Sequence, residues 1–217
     1  MSEHRYSQPE IDALYRAIAK RRDMRHFRSD PVEPEMLARL LRAAHMGPSV
    51  GYMQPRRFIR IASAELRTRL HALVEEEREC TADALGERRN ECMQLKVGGM
   101  RDCGELLVVA LCDGRERHVF GRRTLPEMDL ASTACATQNL WLAARAEGLG
   151  IGLVSLFDPA AVAELLAMPE GAKPIAILCL GHVDAFYDKP MLETGDRARR
   201  IPLEDLVGGD DWAGADG

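Results

Sequence analysis

MDLASTACATQNLWLAARAEGLGIGLVSLF, from Met128 to Phe157, is the stretch whose reading decides the fold. Between Leu130 and Ala146 it lacks Gly and Pro, and apolar or small residues occupy every face apart from Gln138, Asn139 and Arg145. Such a helix is expected to be central and enclosed by protein. Gly148 then ends it as a left-handed cap, the apolar run Ile151 to Phe157 predicts a strand, and Asp158-Pro159 predicts a turn and a new helix start. Helix, tight turn and buried strand in direct succession belong to a layered α/β or α+β structure.

Outward from this stretch, the apolar runs Phe58 to Ala62, Glu105 to Cys112 and Ile175 to Leu180 predict three more strands. Helices are predicted between them. One begins at Ser7, with Glu10 completing a capping box and Ile11, Leu14, Tyr15 and Ile18 on one face. A second starts at Pro34 and buries Met36, Leu37, Leu40, Leu41 and Ala44 before ending near Gly47. A third runs from Ala64 to about Leu85 behind Ser63 as cap, with Leu66, Leu70, Leu73 and Val74 inward and the charged run Glu75 to Arg78 on a solvated face. A last helix extends from Pro159 to about Ala167. Residues 86–103 are polar and are expected to form a lid or edge element. Residues 113–126 form a charged loop, and the polar tail carrying Arg197, Arg199 and Arg200 is expected to cross onto another surface.

At 217 residues the chain is long enough for one domain, 1–217, whose core needs no staple. A formal charge of −5 argues against a nucleic-acid protein, although 29 Lys and Arg leave material for a local anion pocket. No apolar run reaches the ~20 residues that a membrane helix requires. The N-terminus MSEHRYSQPE does not resemble a signal or transit peptide, so a cytoplasmic protein is expected. Six cysteines are scattered without a C-x-x-C pair and are read as free thiols, and six histidines without H-x-x-x-H or H-x-H spacing argue against a metal site.

Two stretches carry candidate chemistry. Lys20, Arg21, Arg22, Asp23, Met24 and Arg25 follow the first helix. They read either as a solvated helix end, since cations are favoured there, or as a phosphate clamp of forked guanidinium donors with Asp23 held among them. The loop Gly47-Pro48-Ser49-Val50-Gly51-Tyr52-Met53-Gln54-Pro55 contains Ser49 and Gln54 among turn formers, and either lines a site or merely punctuates helix and strand.

Together, Arg21 to Arg25, Pro48 to Pro55, the run from Glu127-Met128-Asp129 through Gln138-Asn139-Leu140-Trp141 to Gly148, and Val154-Ser155-Leu156-Phe157 resemble the 5,6-dimethylbenzimidazole synthase family, a branch of the nitroreductase superfamily. The resemblance extends from about residue 12 to 207. Asp23 stands where the wider superfamily has Ser, which is similar to the synthase branch. Arg56, Ala131 and Leu153 stand where large aromatics are usual.

That resemblance implies an α+β nitroreductase-like fold, with a central, mainly antiparallel sheet flanked by helices and a long buried central helix. It implies a homodimer with flavin sites at the subunit interface. It also implies an enzyme that consumes reduced FMN and O2, yields 5,6-dimethylbenzimidazole and erythrose 4-phosphate, and depends on a separate flavin reductase. Arg21, Arg22, Asp23, Met24 and Arg25 match the first flavin-contacting motif, Ser49 and Gln54 the loop facing the flavin, Ser155 the strand motif beside the ring, and Arg200 the C-terminal phosphate ligand; Lys96 is a looser match. Asp23 is assigned proton transfer or the holding of ring and sugar, Ser155 the orientation of a flavin polar atom, and Arg21, Arg22 and Arg200 the phosphate. The rival readings are an FMN-dependent NAD(P)H nitro or quinone reductase and a non-catalytic flavin-binding module.

Overall fold

The computed structural model describes residues 4–93, 99–194 and 198–210, without the side chains of 91 and 92. Among them, Arg56–Arg60 (β1), Glu105–Leu111 (β2), Gly150–Val154 (β3) and Lys173–Gly181 (β4) form one sheet in the order β1-β2-β4-β3. Every pairing is antiparallel, as expected. β2 is buried throughout because both faces of the sheet are covered. Leu107 and Val109 enter a core with Leu37, Leu40 and Ala44 of helix Pro34–His45 (α2) and Leu140, Trp141 and Ala144 of helix Met128–Ala146 (α6). Leu106 and Val108 point the other way. They meet Leu70 and Val74 of Ala64–Ala84 (α3), Met100 of Gly99–Asp102 (α5) and Val162 of Pro159–Leu165 (α7).

Strand boundaries shift from the sequence expectation. β1 starts at Arg56, two residues early, because the ladder begins directly after Pro55, whose carbonyl accepts the Cys112 N–H at 2.6 Å. Three arginines within it disguised a strand that alternation alone would mark. β3 ends at Val154, paired with Ile177, after which the chain turns towards the Asp158 cap. Ser155 therefore lies just beyond the strand rather than in it.

The expectation that α6 is enclosed on all sides is corrected. Its inner face, including Thr133, Ala136, Thr137 and Leu140, is buried, while Leu130, Ala131, Ala134, Cys135 and Gln138 are exposed. The exposed stripe is apolar enough to pass for an interior face, which is why the sequence concealed it. The helix Gln8–Lys20 (α1) shows the same property. Glu10 accepts the Ser7 N–H at 2.9 Å, as the capping box predicts, yet Leu14, Tyr15 and Ile18 remain exposed.

Two other readings change. Glu75 to Arg78 is not simply a solvated face: Glu75 pairs with Arg78 at 2.5 Å and reaches buried His71 at 3.5 Å. Within the proposed lid, the short helix Arg89–Met93 (α4) is tied to α3 through Arg89, which bonds Glu79 at 2.6 Å as well as Asp83. Met100 and Cys103, in contrast, belong to the core. Cys80, Cys103, Cys112, Cys135 and Cys179 are unbridged.

The chain divides into two compact units, Met1–Phe186 and Tyr187–Gly217. The first holds the whole sheet and both core clusters. The second contains the helix Met191–Thr194 (α8) and the 3-10 turn Leu203–Leu206, and Arg197 lies outside the described residues. Among the described residues, no helix is long and apolar enough to cross a membrane.

Candidate functional site

α1 stops at Lys20 and the chain extends alongside β3, where Asp23 and Ile151 form a parallel bridge and the Met24 N–H donates to the Ile151 carbonyl at 2.9 Å. This close approach needs Gly152. A Cβ there would sit 2.2 Å from the Met24 carbonyl oxygen, which no side chain tolerates. The basic motif is thus an extra half-strand on the free edge of β3, with Met24 buried as its anchor.

Asp23 is held by two partners. Its Oδ1 accepts the Leu153 N–H at 2.8 Å and its Oδ2 pairs with Arg25, whose Nη1 also donates to the Leu153 carbonyl at 3.1 Å. Its side chain remains 39% exposed. Burial pushes the Asp23 carboxyl up from the usual carboxylate value, against the opposing pull of Arg25, the Leu153 N–H and Arg21.

The two preceding arginines have different duties. Arg22 folds back, and its Nη1 donates to the carbonyls of Ala19 at 2.8 Å and Arg21 at 2.6 Å, covering the end of α1. Arg21 stacks its guanidinium 4.7 Å from the Trp141 ring centroid. Ser155 is exposed two residues beyond Leu153, on the same edge of the sheet.

The second candidate loop is elsewhere. It runs from α2 into β1 through the 3-10 turn Val50–Tyr52, with Gly51 at φ 52°, Tyr52 at 55° and Gln54 at 50°. Left-handed backbone at a non-glycine costs about 1–2 kcal/mol, so this loop is held against its preference. Ser49 Oγ accepts the Gln54 N–H and Ser132 Oγ accepts the Val50 N–H, each at 3.1 Å. A Cβ on Gly47 would meet the Ala136 Cα at 2.8 Å, so the loop lies directly on the first half of α6. The residue after it, Arg56, is 7% exposed and donates from Nη2 to the His45 carbonyl, while its Nη1 is buried without a hydrogen-bond partner.

The motif around Asp23 and the loop around Ser49 and Gln54 do not meet within one chain. Asp23 lies outside β3 at one edge of the sheet and Gln54 precedes β1 at the other. With strands ~4.8 Å apart, they are separated by roughly 20 Å across the sheet alone. Arg200 precedes the 3-10 turn of the second unit, and Lys96 lies outside the described residues.

The sequence reading missed Trp141, Arg145 and Ser132 as supports of the site. Arg145 was visible as a polar exception on an apolar helix and Trp141 stood within the run that carries the family resemblance, though without a role, whereas nothing local marked Ser132. Arg56 and Leu153, where the resemblance leads one to expect large aromatics, are absorbed by the fold: Arg56 is buried at a helix end and Leu153 packs against the core. Ala131 lies on the exposed stripe of α6.

Residues 18–182 match the nitroreductase family. The chain is 37% identical over 201 residues to a 5,6-dimethylbenzimidazole synthase of Rhodobacter capsulatus, covering 92% of this chain and 97% of that protein. It is 38% identical over 197 residues to a 5,6-dimethylbenzimidazole synthase of Rhodospirillum rubrum, covering 88% and 90%. A crystal structure of oxidised iodotyrosine deiodinase bound to FMN and 3-iodo-L-tyrosine superimposes with a TM-score of 0.69 at 23% identity, covering 81% of this chain and 92% of that one. At that identity the likeness concerns the fold.

Proposed function

The chain belongs to the nitroreductase family and to its 5,6-dimethylbenzimidazole synthase branch, and from that membership we propose that it fragments reduced FMN with O2, releasing 5,6-dimethylbenzimidazole and erythrose 4-phosphate together with the remaining pyrimidine portion of the ring. The observation that carries this reading is the 37% identity to a named synthase, sustained across 92% of this chain and 97% of its relative.

The donor set fits a flavin mononucleotide. Arg21 offers a permanent, half-exposed cation suited to a phosphate, Ser155 an exposed hydroxyl, and Ser49 and Gln54 hydroxyl and amide groups on a constrained loop. When bound, reduced flavin supplies the electrons that O2 accepts. The protein's part is to hold the phosphate, orient the ring, exclude water and handle protons. Asp23 is the carboxylate for that last task. Its raised pKa favours accepting a proton, and its ties to Leu153 and Arg25 fix where that proton is held. Arg22, which covers the end of α1, supports the motif from behind.

Opposite placement of the two polar groups favours a homodimer in which the Asp23 edge of one copy faces the Ser49–Gln54 loop of the other. The exposed apolar residues of α1 and α6 supply contact surface for such an assembly. Reduced FMN would then come from a separate flavin reductase.

The test is aerobic incubation of the purified protein with chemically reduced FMN, followed by mass spectrometry. Formation of 5,6-dimethylbenzimidazole is expected. Recovery of intact FMN overturns the assignment. Turnover of NAD(P)H against a nitro or quinone acceptor with the flavin intact would establish the reductase reading, and binding with neither reaction the non-catalytic one.

A further inference from the structure

We propose that Trp141 is the positioning residue that presents Arg21 to the phosphate of the bound flavin mononucleotide; this inference rests on the flavin reading above. Three consecutive residues at the end of α1 are fixed by two side chains one turn apart on α6. Arg145 Nε donates to the Lys20 carbonyl at 3.2 Å, and Trp141 Nε1 donates to the Arg22 carbonyl at the same distance. Between these pinned carbonyls the Arg21 N–H donates to Ala17 at 3.0 Å and its guanidinium lies over the indole, 4.7 Å from the ring centroid. Arg145 is itself braced by stacking 3.9 Å from the Phe186 ring centroid.

The arrangement suits an anion. Stacking uses the flat face of the guanidinium and leaves its edge, where the N–H donors lie, free for forked contact with phosphate oxygens. It also restricts a long side chain before ligand arrives, so less conformational freedom is lost on binding. Arg22 is otherwise engaged, with its Nη1 on the carbonyls of Ala19 and Arg21. Trp141 is 9% exposed, so its influence passes through Arg21 rather than through direct contact with ligand.

The test compares two ligands that differ only in the phosphate. Affinities of the full chain for reduced FMN and reduced riboflavin are measured anaerobically by calorimetry for the native protein, Trp141→Phe and Trp141→Leu. The native protein is expected to prefer FMN. Trp141→Leu is expected to lower that preference about two- to five-fold, the range of an exposed cation–π contact, with riboflavin affinity nearly unchanged. Trp141→Phe, which keeps a ring under Arg21 and loses the indole N–H, is expected to fall between, and it remains informative if Trp141→Leu does not fold. An unchanged preference in the folded variants, or an equal loss for both ligands, overturns the inference and leaves the flavin reading standing. A native protein that binds both flavins equally also overturns it. One that binds neither overturns the flavin reading itself.

Discussion

Asp23 Oδ1 accepts the backbone N–H of Leu153 at 2.8 Å, joining residues 130 positions apart. The same carboxylate holds Arg25, which returns a hydrogen bond to the Leu153 carbonyl. Both backbone polar groups of one edge-strand residue are therefore satisfied by side chains of the basic motif.

Asp23→Asn removes the charge and weakens this clasp. Because the Asp23 pKa is raised in the fold, its contribution to stability is fully present below the ordinary value of 3.8 and is lost as pH rises through the higher folded value. Melting temperatures recorded from pH 3 to 7 should lose that component of their pH dependence in the variant. Synthase turnover should fall at every pH, by the 10²- to 10⁴-fold typical of a lost proton-transfer group.

Gly152→Ala tests the close approach of the two segments. Its new Cβ would lie 2.2 Å from the Met24 carbonyl oxygen, which belongs to backbone and has no rotamer to escape into. A loss of about 1–3 kcal/mol is expected from overpacking of this kind, measured by urea denaturation, together with weaker flavin binding as the motif is pushed from β3.

His71 supplies a second pH-dependent term. Burial lowers its pKa, with Arg101 and Arg78 adding to the shift and Glu75 opposing it. A depressed histidine stabilises the fold above its ordinary value of 6.5, and that stability drains away as pH falls through the folded value. His71→Gln should flatten the acid side of the stability profile below neutrality, read from denaturation midpoints between pH 5 and 7.5.

Arg56→Met exchanges a buried cation for an apolar chain of similar reach. The bond to the His45 carbonyl is lost, but so is a buried donor without a partner. Replacing poorly compensated buried charge is often neutral or stabilising. A gain of about 1 kcal/mol in urea denaturation is expected.

The fold was legible where one physical requirement dominated. Gly148 adopts φ 81°, as a left-handed cap demands, and the inward residues of α2 follow its apolar spacing. β1 was displaced because Arg56, Arg57 and Arg60 give a charged signature, whereas the strand is fixed by its ladder to β2. Within the site, the Arg21 to Arg25 motif and the Ser49 loop could be picked out by composition and resemblance. Their separation by the sheet could not, because strand order is a property of the whole chain. Nor could the stacking of Arg21 on Trp141, since contacts between helices leave no mark on local spacing.

In the dimer proposed above, each cavity would take the Asp23 edge of the sheet from one copy and the Ser49–Gln54 loop from the other, and that arrangement has a genetic consequence. Suppose one inactive variant is damaged at Asp23 and another at Gln54. In the mixed dimer, both lesions fall in one cavity and the other is assembled wholly from native parts. Co-expression of two dead proteins should therefore restore synthesis, whereas two lesions on the same side, Asp23 with Arg21, should not complement.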